Sequence, residues 1–411
     1  MKREDLKKRT LKGFTSTGSQ GSLRQQNISS ILRLIYSNRP ISRVELSRMT
    51  GLNKATVSSL VADLIENRLI RFVGENKQER AGRREVMIDI EPRAGAIVSA
   101  EVGVGFISVV AANFAGGIFC RKGAEVDRNE SPEKIVAQLV RLLNAAARES
   151  ESTYGRIKGV SVAVPGAVDA ETGNVLFAPN LGWRNFDLLS RVESDFDAPV
   201  HIDNEASLAA MGEHFFGAAK GLNEVVYISV GIGIGGGVIV NGDLYRGAGG
   251  IAGEFGHMTV DVNGQKCSCG KIGCWETIAG ESTLLKAFGA NSGSTDIGWI
   301  RSDAEKLNRL LEAARRNNAK AHKVLAKTAA NLAVGIDSLI KAFDPEVVVL
   351  GGPVGVLKEF LIPLVEAELE KRRIFDVTHK VAVVSASFGR EAALMGGVAK
   401  IVRSILARPL Q

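Results

Sequence analysis

The chain has 411 residues, of which 45% are hydrophobic and 24% are charged, as is ordinary for a globular protein of two or three domains. It contains no run of eighteen apolar residues, and its basic N-terminus lacks an apolar core, so we expect neither membrane insertion nor a secretory signal. Four cysteines in such a length favour a reducing, cytoplasmic location over a disulfide-bonded secreted protein.

The positive charge is concentrated near the N-terminus. Residues 1–90 contain 18 basic and 9 acidic side chains, a net charge of +9, whereas the remainder contains 34 and 36, a net charge of −2. A basic module joined to a nearly neutral body indicates contact with a polyanion such as DNA. A merely solvated basic face would explain the charge equally well. Residues 1–22 are polar and basic, and we expect a flexible tail there.

Three helices are predicted between residues 23 and 67. Ser42 and Glu45 form a capping box for the second helix, and Asn53 caps the third. Two short helices joined by a turn that contains Gly51 are typical of a helix-turn-helix motif. Two strands follow, at residues 69–73 and 86–90, which completes the pattern of a winged helix-turn-helix.

The third helix, predicted over residues 54–67, is expected to enter the major groove. Residues off its apolar stripe are small, polar or basic, as close approach to base edges requires. They are Lys54, Ala55, Thr56, Ser58 and Ser59. Arg83 and Arg84, in the basic loop between the two strands, are expected to reach a narrow minor groove. A small helical interaction module is the alternative interpretation of this segment.

From residue 94 onward, short apolar strands alternate with longer helical stretches, which predicts α/β layers. The first strands are predicted at residues 96–102, 106–113, 117–126, 157–164 and 200–202. A second cycle follows, with strands at residues 225–230, 237–240 and 347–350. A last helix is predicted from about residue 392 to residue 406.

Three of the four cysteines and one histidine lie within eighteen residues. His257, Cys267, Cys269 and Cys274 offer three thiolates and an imidazole, which is a full tetrahedral set for Zn²⁺. Since no position is left open for water, the set predicts a structural metal rather than a catalytic one. A reduced loop that happens to contain thiols is the alternative.

This stretch resembles the signature of the ROK family, whose name stands for repressors, open reading frames and kinases of sugars. The resemblance rests on Glu254-x-x-His257 followed by Cys-x-Cys-Gly-x-x-Gly-Cys-x-Glu276. The run SRVELSRMTGLNKATVSSLVADLIENRLI also resembles the winged helix of ROK-type repressors, with the xylose-repressor branch most similar. The resemblance to the ROK family implies that the four ligands bind zinc. It also implies an actin-like or hexokinase-like body with two lobes around a cleft.

The resemblance extends from Leu23 to the end of the chain and implies a domain organisation. We expect the tail at residues 1–22, the winged helix-turn-helix at 23–92 and the sugar-binding domain at 93–411. Lobe 1 would comprise about 93–204 and the terminal helix 392–411, and lobe 2 about 205–391.

A sugar in the cleft would be held by carboxylates and amides that contact adjacent hydroxyls. In the family, the positions of Glu254 and Glu276 and the zinc histidine hold sugar hydroxyls. The predicted sugar-binding residues are Asn180, Asn204, Glu205, Glu254, His257 and Glu276. The alternative is that the two asparagines have a structural role, in which their side chains stabilise a turn or cap a helix.

The elements that would handle a nucleotide depart from those of ROK kinases. At the first phosphate loop, ROK kinases have the motif Asp-x-Gly-Gly-Thr, whereas this chain has Glu101-Val-Gly-Val-Gly105. At the second, the kinases have a threonine, whose hydroxyl is replaced here by the apolar side chain of Ile232. Glu205 aligns with their catalytic aspartate. Because phosphoryl transfer depends steeply on positioned groups, we predict that the protein is not an enzyme.

The sequence therefore predicts a sugar-responsive repressor. Its expected partners are a double-stranded operator with an inverted repeat, a monosaccharide effector, and further copies of the chain in a homodimer or dimer of dimers. Xylose or a glucose-like aldose is favoured, with N-acetylglucosamine still open. The alternatives are a ROK kinase with an added DNA-binding domain and a regulator controlled by a partner protein.

Overall fold

The computed structural model describes residues 20–76, 85–127, 129–289, 299–373 and 380–410. They form two compact units, Met1–Ala94 with Arg403–Gln411, and Gly95–Val402. Within the described ranges, no helix has the length and apolarity needed to cross a membrane. Most of the predicted tail, and the loop arginines Arg83 and Arg84, lie outside the described residues.

The first unit contains three helices and a three-stranded antiparallel sheet, which confirms the predicted winged helix-turn-helix. The elements are α1 (Gln20–Asn38), β1 (Ile41–Ser42), α2 (Arg43–Thr50), α3 (Lys54–Glu66), β2 (Ile70–Asn76) and β3 (Glu85–Ile90). The strand order is β1-β3-β2, so that β3 lies in the centre. The apolar faces of the three helices are buried, as their spacing predicts.

The predicted caps define where the helices of the motif begin. The Glu45 backbone N–H donates to Ser42 Oγ at 3.2 Å, and the Ser42 backbone N–H donates to Glu45 Oε2 at 3.0 Å. The Thr56 backbone N–H donates to Asn53 Oδ1 at 2.8 Å. Gly51 ends α2 in the left-handed conformation, with φ of 70°, and thereby produces the turn between α2 and α3.

The first unit also includes residues from the other end of the chain. The terminal helix, α12 (Ala392–Ala407), has its last turn in this unit. Ser29 Oγ on α1 donates a buried hydrogen bond to the Leu406 carbonyl at 2.7 Å, and the Leu406 side chain is buried as well. The N-terminal segment alone therefore does not make up the whole unit.

The first half of the second unit is built on a five-stranded mixed sheet of order β11-β7-β4-β5-β6. Its elements are β4 (Ala96–Gly103), β5 (Phe106–Asn113), β6 (Ile118–Glu125), α4 (Pro132–Tyr154), β7 (Ile157–Val164), β8 (Ala167–Asp169), β9 (Asn174–Ala178), β10 (Trp183–Asp187), α5 (Leu189–Glu193), β11 (Val200–Asn204) and α6 (Glu205–Phe216). Strands β4, β7 and β11 are parallel. The small antiparallel sheet β10-β9-β8 was not predicted, because its strands are short and mixed in polarity.

The second half repeats this plan, with a five-stranded sheet of order β14-β13-β12-β15-β16. Its elements are β12 (Val225–Val230), β13 (Ile234–Val240), β14 (Asp243–Tyr245), α7 (Glu276–Ala279), α8 (Glu281–Phe288), α9 (Trp299–Arg315), α10 (Ala319–Phe343), β15 (Val347–Gly351), α11 (Lys358–Glu370) and β16 (Ala382–Ser385). Each half has its own buried apolar cluster. The predicted α/β body is confirmed, and its polar strand ends face a common cavity.

Candidate functional site

A cavity of about 1540 Å³ in the second unit is lined by all six predicted sugar-binding residues. Asn204 ends β11 and Glu205 begins α6, whereas Glu254 precedes the short 3-10 helix Phe255–His257 and Glu276 begins α7. Carboxylates, amides and an imidazole converging in one cavity are the groups that bind adjacent hydroxyls. The fold therefore brings together residues that are nearly one hundred positions apart.

The two asparagines differ in how much of their hydrogen-bonding capacity the protein uses. Asn204 Oδ1 accepts from the backbone N–H groups of Ala206 and Ser207, both at 2.9 Å, and its Nδ2 donates to the Gly166 carbonyl at 2.9 Å. Asn204 therefore caps α6, the alternative role that its sequence position predicts. Asn180 is exposed at the cavity wall, between β9 and β10.

Two carboxyl groups in the cavity have strongly raised pKa values. Burial raises the pKa of Glu205 from 4.5 to about 8, and the neighbouring charge of Glu101 adds to the shift. Burial also raises the pKa of Glu101 from 4.5 to about 7, against the opposing influence of the Arg390 guanidinium. At neutral pH Glu205 is thus mainly protonated, so that it can donate a hydrogen bond as well as accept one.

The predicted metal ligands also come together. One ligand atom from each of His257, Cys267, Cys269 and Cys274 lies within 4.8 Å of the others. The Cys269 and Cys274 Sγ atoms are 3.6 Å apart, and Cys267 Sγ is 3.7 Å from His257 Nδ1. Three sulfurs and one imidazole nitrogen at such distances could hold a metal ion.

Local backbone geometry explains why these ligands converge. Gly273 has φ of 74°, and a Cβ atom there would lie only 1.6 Å from the Asp261 carbonyl oxygen. The loop can therefore close only with glycine at this position. Trp275, which is fully buried, donates from Nε1 to the Asn331 carbonyl at 2.9 Å. This bond anchors the chain between the ligand Cys274 and the sugar candidate Glu276.

His257 belongs to both the metal cluster and the sugar cavity. Its Nδ1 faces Cys267, whereas its Nε2 lies 3.9 Å from Glu254 Oε2. Glu276 Oε1 lies 3.7 Å from His257 Nδ1 and 2.9 Å from Cys267 Sγ. Whatever fixes the cluster therefore also fixes the imidazole and both carboxylates at the cavity wall.

In the first unit, α3 presents the predicted DNA-facing residues as a group. Lys54, Ala55 and Ser59 are exposed, and Thr56 and Ser58 are partly buried. The apolar residues of the same helix are buried: Val57, Leu60, Val61 and Leu64. The described part of the helix thus has the shape and polarity of a recognition helix.

Comparison with known proteins identifies the family. The sequence model described as "ROK family" matches residues 98–404, and that described as "MarR family" matches residues 29–81. The chain belongs to the ROK family. The first match covers the second unit almost completely, and the other lies within the winged helix-turn-helix.

The ROK relatives include named regulators and named kinases. The chain is 32% identical to the xylose repressor of Caldicellulosiruptor bescii, over 95% of this chain and 99% of that protein. A solved ROK family transcriptional regulator, described as a homologue of the E. coli MLC protein, matches with a TM-score of 0.77 and 24% identity, covering 94% and 98% of the two chains. A ROK family glucokinase from Streptomyces griseus, solved with glucose and AMPPNP, matches with a TM-score of 0.64 and 28% identity, but covers 74% of this chain and 98% of its own.

Some cavity residues of this ROK protein were not singled out as ligand contacts from the sequence. Arg390 lies in the 3-10 helix Gly389–Glu391, just before the terminal helix, and the exposed apolar side chains of Phe177, Ile232 and Ile251 also line the cavity. A single arginine or isoleucine in a loop does not belong to a recognisable motif, so that only the fold shows that it lies at the cavity. Trp183, three residues after Asn180, is only 2% exposed and packs in the core rather than at the cavity wall.

Glu205→Gln should change how stability depends on pH. The folded protein holds the Glu205 proton up to about pH 8, whereas the unfolded chain releases it near the ordinary value of 4.5. Because the folded state then binds more protons, wild-type stability must fall as pH rises from about 5 to 8. Glutamine does not ionise, so the variant loses no stability through this group as pH rises. Its free energy of unfolding should therefore exceed that of the wild type by an amount that grows toward pH 8, to on the order of 1–3 kcal/mol.

Denaturant unfolding at pH 5, 6, 7 and 8 measures this difference. Glu359→Gln on the protein surface is the control, because the Arg315 guanidinium lowers the pKa of Glu359 rather than raising it. Parallel pH profiles for wild type and Glu205→Gln would show that Glu205 is ionised at neutral pH.

Proposed function

We propose that this protein is a sugar-responsive transcriptional repressor. The winged helix-turn-helix binds an operator, and a monosaccharide in the cavity of the second unit controls that binding. The observation that carries the proposal is that one chain joins a helix with an exposed polar DNA-facing surface to a cavity lined by six sugar-binding candidates. The full-length similarity to a named xylose repressor supports it.

The domain organisation proposed for this function follows the sequence. Residues 23–92 bind DNA, residues 93–411 bind sugar, and residues 1–22 form a basic tail. In the sugar-binding domain, residues 93–204 with the terminal segment 392–411 form one lobe and residues 205–391 the other, although the end of that segment, 403–411, belongs to the first compact unit. Sugar-binding candidates come from both lobes, so that a bound sugar would bridge them and favour a closed state.

DNA recognition is assigned to the N-terminal half of α3. Lys54 supplies charge near the phosphates, and Ala55, Thr56, Ser58 and Ser59 allow close approach to base edges. Arg83 and Arg84 are proposed to contact the minor groove. In a homodimer, or a dimer of dimers, two such helices would read the two halves of an inverted repeat.

Ser59→Ala should relax sequence preference, because it removes a hydroxyl that faces the base edges. Selection from a random duplex library gives the wild-type operator, and competition binding then measures the ratio of operator to scrambled-duplex affinity. We expect that ratio to fall by roughly tenfold, or about 1.4 kcal/mol. Lys54→Ala should instead weaken binding to both duplexes.

Glu66→Ala is the matched control, since Glu66 is exposed at the opposite end of the same helix. Unchanged preference in Ser59→Ala, together with unchanged affinity in Lys54→Ala, would remove α3 from the DNA interface.

The metal cluster is proposed to hold a structural Zn²⁺. Tetrahedral zinc with ordinary bond lengths separates two sulfurs by about 3.8 Å and a sulfur from a nitrogen by about 3.6 Å. The two separations of 3.6 Å for Cys269–Cys274 and 3.7 Å for Cys267–His257 are close to these values, and all four ligand atoms lie within 4.8 Å of one another. Four protein ligands complete the coordination shell, so that the ion would serve structure and orient His257.

Cys269→Ser should abolish metal binding. Protein purified without chelator is analysed for zinc by mass spectrometry, with one ion per chain expected for the wild type and less than about a tenth of that for the variant. Cys120→Ser is the matched control, because Cys120 is a buried cysteine on β6 outside the cluster. Metal-free wild type, or full occupancy in Cys269→Ser, would contradict the zinc assignment.

The proposed effector is xylose or a glucose-like aldose. The name of the full-length relative points to xylose, and glucose is bound in the solved ROK glucokinase. Glu254, His257 and Glu276 would hold its hydroxyls from one side, and Asn180 and Glu205 from the other. Asn204, whose amide group caps α6, would serve the same site by positioning Glu205. Closure around the sugar would change the spacing of the two recognition helices in a dimer and lower operator affinity.

Glu254→Ala should uncouple DNA binding from the sugar. We expect D-xylose or D-glucose to lower wild-type operator affinity by about 5- to 150-fold, as a coupling of 1–3 kcal/mol implies. The variant should bind the operator normally and stay bound at the same sugar concentration, as measured by fluorescence anisotropy. Glu193→Ala, an exposed glutamate outside the cavity, should respond like the wild type.

Release of Glu254→Ala at the wild-type sugar concentration would rule out this mechanism. Absence of any sugar effect on the wild type, across a panel that includes N-acetylglucosamine, would instead rule out sugar control.

The non-enzyme proposal rests on the same cavity. Ile232 offers no hydroxyl to a phosphate, and Glu101-Val-Gly-Val-Gly105 lacks the paired glycines and the threonine of the kinase phosphate loop. These are departures from the groups that phosphoryl transfer needs. The similarity to a named repressor over 95% of this chain supports the same conclusion.

A further inference from the structure

A buried ion pair links the two halves of the cavity. Arg246 Nη1 donates to Asp203 Oδ1 at 2.8 Å, and Nη2 donates to Oδ2 of the same carboxylate. Asp203 is 1% exposed, and the Arg246 side chain is 30% exposed. A paired, doubly hydrogen-bonded arginine and carboxylate hold each other in one orientation more strictly than a single contact does.

Asp203 stands directly beside sugar-binding candidates, and Arg246 begins a loop that leads to another. Asp203 lies in β11, next to Asn204 and Glu205, and its Oδ1 also accepts from the Asn204 backbone N–H at 2.9 Å. Arg246 follows β14 and begins the loop that leads to Glu254. The pair therefore connects the polar end of the first sheet to the loop that follows the second.

That loop has little else in its sequence to give it a fixed shape. Three glycines with positive φ occur between Arg246 and Glu254, and Ile251 in the same stretch is 61% exposed. At its far end, Gly253 packs so closely on the Gly236 carbonyl that a Cβ atom would lie 2.3 Å from the oxygen. At its near end, the Ala252 backbone N–H donates to the Arg246 carbonyl at 3.1 Å. The loop is thus fixed at Gly253 and at Arg246.

We propose that Arg246 is a positioning residue for the effector. Through Asp203 it fixes the loop 246–253, and hence Glu254, at a set distance from Asn204 and Glu205. This inference rests on the proposed sugar-binding function and names a residue that touches no sugar itself. Loss of the pair should leave Glu254 present but poorly placed, which lowers sugar affinity without removing any sugar-contacting group.

The test separates positioning from folding. Arg246→Met leaves the buried Asp203 carboxylate unpaired and should destabilise the protein, so the informative variant is Arg246→Met combined with Asp203→Asn, which removes both charges. We expect its thermal midpoint to lie near that of the wild type, while its Kd for D-xylose or D-glucose by calorimetry rises about tenfold. Arg246→Lys keeps the charge but loses the double hydrogen bond, and should give an intermediate Kd.

Arg315→Met is the matched control. It also breaks a double hydrogen bond between arginine and carboxylate, to Glu359, but that pair is exposed and lies outside the cavity lining. It should leave the sugar Kd unchanged. Wild-type sugar affinity in the double variant would overturn the positioning role.

Amide hydrogen exchange without sugar gives an independent result. Peptides covering residues 246–257 should exchange at least about tenfold faster in the double variant than in the wild type, while peptides from β12 and β15 keep their protection. Unchanged exchange in this loop would overturn the inference. If the wild type binds no sugar but the loop exchange still rises, the proposed function fails and the positioning of the loop stands.

Discussion

The convergence of three sulfurs and one imidazole is the constraint on which most of the cavity depends. The four ligand atoms lie within 4.8 Å of one another although the ligands are spread over eighteen residues. Holding them there determines the path of the chain between Glu254 and Glu276, including the tight turn at Gly273. The imidazole of His257 faces the cluster with one nitrogen and Glu254 with the other. The geometry of the cluster therefore determines where these side chains lie in the cavity wall.

The same cavity contains the groups that one chemistry needs and departs from the groups that another needs. Sugar recognition needs polar groups at fixed positions, and those are present on both sides of the cavity. Phosphoryl transfer additionally needs hydroxyl donors and an ionised base. Here Ile232 offers no hydroxyl, and burial raises the pKa values of Glu101 and Glu205, so that each carboxyl can donate a hydrogen bond to a sugar hydroxyl when it is protonated. A common fold therefore does not imply a common reaction.

Local sequence signals predicted those parts of the structure that depend on neighbours in the chain. The capping box of Ser42 and Glu45, the cap at Asn53 and the convergence of the four metal ligands follow from spacing alone, and the structure confirms all three. The ion pair of Arg246 and Asp203 could not be predicted in this way, since its partners lie 43 positions apart, one in β11 and the other in the loop after β14, and share no motif. The sheet β10-β9-β8 was not predicted for a related reason, because strands of three to five residues are too short to show a clear alternation of apolar and polar side chains.

The buried bond between Ser29 and the Leu406 carbonyl has a consequence for how the protein is made. The helix-turn-helix leaves the ribosome early, but the unit to which it belongs also contains residues 403–411. Roughly 300 residues must be translated in between, which takes on the order of 15–60 seconds at ordinary bacterial rates of about 5–20 residues per second. During that interval the nascent chain lacks part of its DNA-binding unit. A finished DNA-binding unit therefore arises only together with the domain that is proposed to silence it.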